Sequence, residues 1–198
     1  MQHRFGELTI IVLGEFFIKL VTTSEDRELT TANIYILICL LAISISFWWL
    51  YFDHLDHSSL TNSGSRLGTW IYGHFPFLLG ITAYGVLGTK VFAAVRSEPL
   101  DDHKRVLFTM ALAIALLAYA VIEWAIRENE EPLTRRAQPW LRIGGAAALL
   151  ILGMAGGSLN VDVLVSLVVA VFLLQVGLDV YKRLQRLDQE SAESSIPA

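Results

Sequence analysis

Five long stretches of this 198-residue chain contain no Asp, Glu, Lys or Arg: residues 29–52, 67–89, 106–122, 143–161 and 163–178. An α-helix rises about 1.5 Å per residue, so about 20 apolar residues cross the roughly 30 Å of hydrocarbon in a bilayer. Three of the stretches have that length, and the two shorter ones reach it with side chains that snorkel at their ends. A large soluble protein could bury one such helix. Five in so short a chain leave too little polar sequence to coat a soluble particle, since only 17% of the residues are charged against roughly 25% in ordinary domains. The expected fold is all-α, a polytopic transmembrane bundle of about six membrane-spanning helices.

The polar joints divide the chain into helices at about 4–22, 31–53, 67–94, 103–127, 139–157 and 162–183. Ser24-Glu25-Asp26-Arg27 separates the first two, and the polar segment Ser58 to Ser65 precedes the third. Pro99-Leu100-Asp101-Asp102 ends the third helix and offers an N-cap to the fourth. Glu128 to Pro139 is the most charged joint, and Gly156-Gly157-Ser158-Leu159-Asn160 reads as a tight hairpin. The polar residues 184–198 read as a disordered tail. No strand alternation or internal repeat is visible, so residues 1–183 form one helical domain.

Several function classes are excluded early. A net charge of −4, with Lys and Arg confined to the ends of the apolar runs, gives no nucleic-acid surface. Cys39 is the single cysteine, which excludes intramolecular disulfides and cysteine-cluster metal sites and implies a packing role. Glu7 and Glu15 interrupt what would be the apolar core of a cleavable signal peptide. No cofactor motif is present. With six spans both termini share a side, and that side collects more Lys and Arg, which favours cytoplasmic termini.

The first helix is unlike the others. At 100° per residue Arg4, Glu7, Glu15 and Lys19 fall within an arc of about 120°, with Ile11 among them, while Thr9, Leu13, Phe16, Phe17 and Leu20 form the opposite face. About ten apolar side chains contribute roughly −3 to −6 kcal/mol to insertion, and one charge near mid-span costs about 2.5 to 3.5 kcal/mol. Further charges nearer the ends bring the sum close to zero. The expectation is that the charged stripe turns into the bundle or a wet cavity. Glu15 and Lys19, spaced i,i+4 in the favourable order, could simply neutralise each other. Alternatively Glu15 lines a proton or ion route, since low dielectric raises a carboxyl pKa toward working pH.

Alternating helix direction brings further polar groups into one leaflet: Arg4 and Glu7, Asp53 and His54 at the end of the second helix, Arg66 and His74 at the start of the third, Glu123 late in the fourth and Asp179 late in the sixth. Asp53 and His57 are i,i+4, and with His54 and His74 they form a candidate metal group whose spacing matches no specific signature. His74 lies two residues before Pro76, which frees a backbone carbonyl one turn back that the imidazole could satisfy; it could equally relay protons. On the fifth helix Gly153 and Gly157 make a small-xxx-small pair for close packing, within the bundle or between subunits.

The segments RFGELTIIVLGE (Arg4 to Glu15), FWWLYFD (Phe47 to Asp53) and YGHFPFLLGI (Tyr72 to Ile81), in this order, resemble the bacterial low temperature requirement A family (LtrA). The resemblance covers the chain to about residue 183. Members carry Glu before Arg-Phe-Gly where this chain has His3, and are about twice as long, so the chain looks like their C-terminal half. The resemblance implies a multi-pass protein of the bacterial cytoplasmic membrane with a link to cold and stress tolerance, and it supplies no reaction or substrate. Its motifs fall on Arg4, Gly6, Glu7, Glu15, Asp53, His74 and Pro76.

Three functions follow as expectations. The first is a small-ion or proton channel or transporter subunit, with Glu15 titrating and Arg4, Glu7, Lys19, Asp53, Arg66, His74, Glu123 and Asp179 lining a polar path. The second is a non-catalytic membrane protein acting in cold tolerance through assembly or lipid contact. The third is a metal-dependent membrane enzyme, which only the Asp53/His54/His57/His74 group would support. The expected partners are membrane lipid, a small ion, and either an upstream half or a second copy of the chain.

Overall fold

The computed structural model describes residues 2–25, 30–55, 64–94, 98–126 and 132–194. Among them are six α-helices: α1 (Gln2–Glu25), α2 (Thr31–Leu55), α3 (Gly64–Phe92), α4 (Asp102–Ile126), α5 (Pro132–Ala155) and α6 (Val161–Ser194). A short 3₁₀ turn, Gly156–Ser158, joins α5 to α6. Among the described residues five segments are long and apolar enough to cross a membrane: Thr31–Asp53, Ser65–Phe92, Asp102–Ile126, Pro139–Ser158 and Val161–Gln185. The exception is α1, whose apolar stretch is interrupted by Glu7, Glu15 and Lys19.

Local chemistry sets several helix starts. The Asp101 side chain accepts from the backbone N–H groups of His103 (3.1 Å) and Lys104 (3.3 Å), the N-cap anticipated for α4. The Thr30 hydroxyl accepts from Asn33 N–H at 3.3 Å and opens α2 in the same way. Pro132 stands at the first position of α5, where a missing N–H costs nothing. α5 therefore begins seven residues before the expected start at Pro139, and residues 132–138 are helical rather than loop. α6 likewise continues to Ser194, so residues 184–194 are helix where a disordered tail was expected. Both differences have one cause: hydropathy marks where lipid ends, whereas helical hydrogen bonding continues into the polar flanks.

The alanine-rich α4 occupies the centre, with fourteen of its residues buried. It lies against α3 on one side and α5 on the other. A Cβ at Gly80 of α3 would stand only 2.8 Å from the Ala111 carbonyl oxygen and the Ala115 nitrogen, so this glycine sets the backbone approach of the two helices. On the far side Gly153 of α5 accommodates Thr109 of α4, and Gly145 accommodates Gln175 of α6. The glycine face of α5 thus packs within the bundle. α1 lies on α3, and α2 lies on α6, where Phe47 and Phe172 meet at 4.8 Å between ring centroids. Cys39 is buried in this core.

Where α4 begins, Arg105 is 4% exposed. It pairs with Asp102 at 2.6 Å, and its Nε donates to the Gly153 carbonyl at 2.9 Å. A cation at the last carbonyls of α5 satisfies their lone pairs and complements the helix dipole.

Candidate functional site

Three helices converge on one guanidinium. Arg142 lies three residues into the apolar part of α5 and is 0% exposed. Its Nη1 donates to Gln175 Oε1 at 2.9 Å, and its Nη2 forms a direct ion pair with Asp179 and lies 3.6 Å from Glu123 Oε1. The guanidinium also sits 5.4 Å from the Tyr119 ring centroid. Tyr119 and Glu123 are i,i+4 on α4, and Gln175 and Asp179 are i,i+4 on α6, so each helix presents two polar groups from one face. The Tyr119 hydroxyl donates to the Leu50 carbonyl, bringing α2 into the same network.

The cluster is costly. Desolvating each ion costs several kcal/mol even after relaxation, and mutual attraction offsets this only where the remaining polar atoms find partners. Here Arg142 Nε, Gln175 Nε2 and Asp179 Oδ1 are buried with no hydrogen-bond partner among the described residues. Two donors and one acceptor left over beside a buried ion pair are the atoms a water, a proton carrier or a small ion would engage.

A second polar unit occupies the same end of the bundle. His74 on α3 is fully buried, with Nδ1 at 2.7 Å from the Trp70 carbonyl and Nε2 at 3.0 Å from the Tyr51 hydroxyl. A carbonyl only accepts, so Nδ1 carries a proton, and in the neutral ring Nε2 accepts from Tyr51. The rings of Phe5, Trp70 and Tyr51 surround it at 4.4, 4.3 and 5.8 Å. The imidazole bonds the Trp70 carbonyl, one turn before its own position. It does not bond the Tyr72 carbonyl that Pro76 frees, which corrects the role expected of it.

Parity did bring several residues together. Asp53 on α2 pairs with Arg183 on α6, Glu123 and Asp179 share Arg142, and Arg66 sits 5.9 Å from the Trp124 ring. Asp53 is engaged by Arg183, and His74 by Tyr51 and Trp70. His57 lies outside the described residues, as does the side chain of His54. Among the described residues no group of three or more His, Cys, Asp or Glu is placed to hold a metal.

The charged stripe of α1 does not turn inward, and this corrects the sequence expectation. Thr9, Leu13, Phe16 and Leu20 are the buried face, while Arg4, Glu7, Glu15 and Lys19 are exposed. Phe17, alone among the residues of the face opposite the stripe, is exposed. Shape decides the orientation: Gly85 and Gly88 of α3 leave a slot that the Phe16 side chain fills, so that Cβ atoms there would stand 3.1 to 3.3 Å from it. Glu15 and Lys19 pair with each other at 3.3 Å on the outer surface.

Sequence reasoning named Glu123 and Asp179 but passed over Arg142, Gln175 and Tyr119. Arg142 borders a charge-free run and reads as an interfacial charge. The available signal was the two i,i+4 polar pairs inside apolar helices, which require a buried donor between them.

A bundle of six helices among the described residues, five of them span-capable, with ionisable groups buried between them, defines a multi-pass membrane protein. The family model described as Bacterial low temperature requirement A protein (LtrA) matches residues 1–177, and the chain belongs to that family. Comparison with curated proteins and with solved structures gives no match.

Proposed function

We propose that this protein handles a proton or a small ion within the membrane, and that the Arg142–Glu123–Asp179 cluster is the site. The observation that carries this reading is a guanidinium enclosed between two carboxylates, with unpartnered donors and an acceptor beside it. Ionisable groups inside spans are expensive, and where they occur they commonly mark ion or proton pathways. Apolar packing would hold three helices together at lower cost. Glu123 and Asp179 are the groups able to exchange a proton, and Arg142 holds them in place. The surrounding core, including Phe47, Phe77, Phe172, Leu112, Leu116 and Leu149, is apolar, so the reading is of a site reached from one side and released by rearrangement rather than of an open pore.

One observation favours a second reading. The same cluster ties α4, α5 and α6 together and reaches α2 through Tyr119, as a structural clamp would. In that case the protein serves cold or stress tolerance through assembly or lipid contact and carries no flux. Proteoliposomes separate the two readings: transport predicts H⁺, Na⁺, K⁺ or Cl⁻ flux that Glu123→Gln removes at unchanged incorporation. A clamp predicts no flux from folded protein, and loss of stability in the variant.

A further inference from the structure

The helix α1 carries two seams. Residues Thr9, Leu13, Phe16 and Leu20, spaced four, three and four apart, are buried within the bundle. On the other side Leu8, Ile11, Glu15, Ile18 and Thr22, spaced three, four, three and four apart, are all exposed. This alternation is the repeat by which one helix presents a continuous stripe to a partner helix in a left-handed pair. Gly14 lies beside the open stripe, and nothing stands within 4 Å of where its Cβ would be.

Depth separates this stripe from an ordinary lipid-facing surface. α1 runs parallel to α3, since Phe5 meets Trp70 and Phe16 meets Gly85 and Gly88. Glu15 borders a groove with Ile81, Thr82 and Gly85. The span Ser65–Phe92 is centred between Leu78 and Leu79, which puts those neighbours about 4 to 10 Å beyond the mid-plane at about 1.5 Å per residue. The hydrocarbon extends about 15 Å from its centre. Within it the Glu15 side chain is 60% exposed, and that of Lys19, one turn farther out, is 53% exposed. Lipid tails offer neither charge a hydrogen bond, and the cost of a charge facing them is several kcal/mol.

We propose that the open stripe of α1 is a self-association surface, on which a second copy of this chain packs its own α1 in parallel about a two-fold axis along the membrane normal. The Glu15–Lys19 pair is net neutral and self-complementary, so two copies bring together two carboxylates and two ammonium groups, and either Lys19 serves either Glu15. A two-fold axis sets identical stripes face to face, which places Ile11 and Ile18 against themselves and gives Gly14 room for close approach. One polar position within such a seam fixes register and partner number at some cost in stability. The inference does not depend on the transport reading.

Cysteine crosslinking in native membranes tests it on the whole chain, because Cys39 is buried and does not compete. Ile11→Cys and Ile18→Cys, introduced singly and oxidised, are expected to give a disulfide-linked dimer of the chain. Leu174→Cys, equally exposed on α6 at 61%, is expected to give several-fold less. No dimer at either stripe position, equal dimer at Leu174→Cys, or a disulfide to a different polypeptide each overturns the proposal. In the Ile11→Cys background, Glu15→Lys is expected to suppress the crosslink by gathering four like charges. Adding Lys19→Glu is expected to restore it, and a yield indifferent to both changes contradicts the pairing.

Discussion

Arg142 has two acidic neighbours and no exposure, so its removal exposes the cost of the arrangement. Arg142→Met leaves Glu123 and Asp179 buried together without a cation and is expected to lower stability by about 3–5 kcal/mol. Replacing all three with apolar residues of similar size, as Arg142→Met, Glu123→Met and Asp179→Leu, is expected to recover most of that loss. Unfolding in detergent measures both, and a loss below about 1 kcal/mol for the single change would mean the guanidinium is hydrated rather than sealed in. Glu15 behaves oppositely. On the outer surface it is expected to leave any flux unchanged as Glu15→Gln, measured in the same liposomes in which Glu123→Gln abolishes it. The sequence made both carboxylates of the cluster visible, because an acid inside an apolar span stands out. It did not reveal Arg142, since a cation at the edge of a span looks like any interfacial anchor. The direction in which Glu15 points depends on Gly85 and Gly88, seventy residues away, and no property of α1 alone encodes it.

At Gly80 the backbones of α3 and α4 approach closely, and glycine position controls that contact. Gly80→Ala forces a methyl group to within 3 Å of the α4 backbone and is expected to destabilise by about 1–3 kcal/mol. Gly68→Ala, on the same helix with nothing within 4 Å of the new methyl, is expected to be neutral or to stabilise by about 0.5–1 kcal/mol through helix propensity. Thermal unfolding of the two variants side by side gives opposite signs if the contact is as described. Helix existence was legible because charge-free runs of 16 residues or more have few other uses. Helix ends were less so: α5 starts at Pro132 and α6 reaches Ser194 because polar, charged sequence sustains helix as well as loop. The glycine pattern on α5 announced close packing, and only the fold identifies Thr109 and Gln175 as the side chains that use it.

Across the whole molecule, polarity is unevenly distributed. The Arg142 cluster, the His74–Tyr51 unit and the Asp53–Arg183 pair share one end, formed by the finish of α2, α4 and α6 and the start of α3 and α5. Helix parity alone anticipated this gathering. Toward the other end no carboxylate is buried among the described residues: Arg105 pairs with the exposed Asp102, Tyr84 donates to the Leu40 carbonyl at 2.6 Å and Tyr35 meets Ser166 at 2.6 Å. Such asymmetry suits a site that exchanges with one side of the membrane. The most direct test of the central claim is proton and ion flux into proteoliposomes carrying the wild-type chain or Glu123→Gln at matched incorporation. The account predicts flux from the wild type that disappears in the variant while the helical fold is retained. Equal flux from both, or none from well-folded wild-type protein for H⁺, Na⁺, K⁺ and Cl⁻, would contradict it and leave the cluster as a structural clamp.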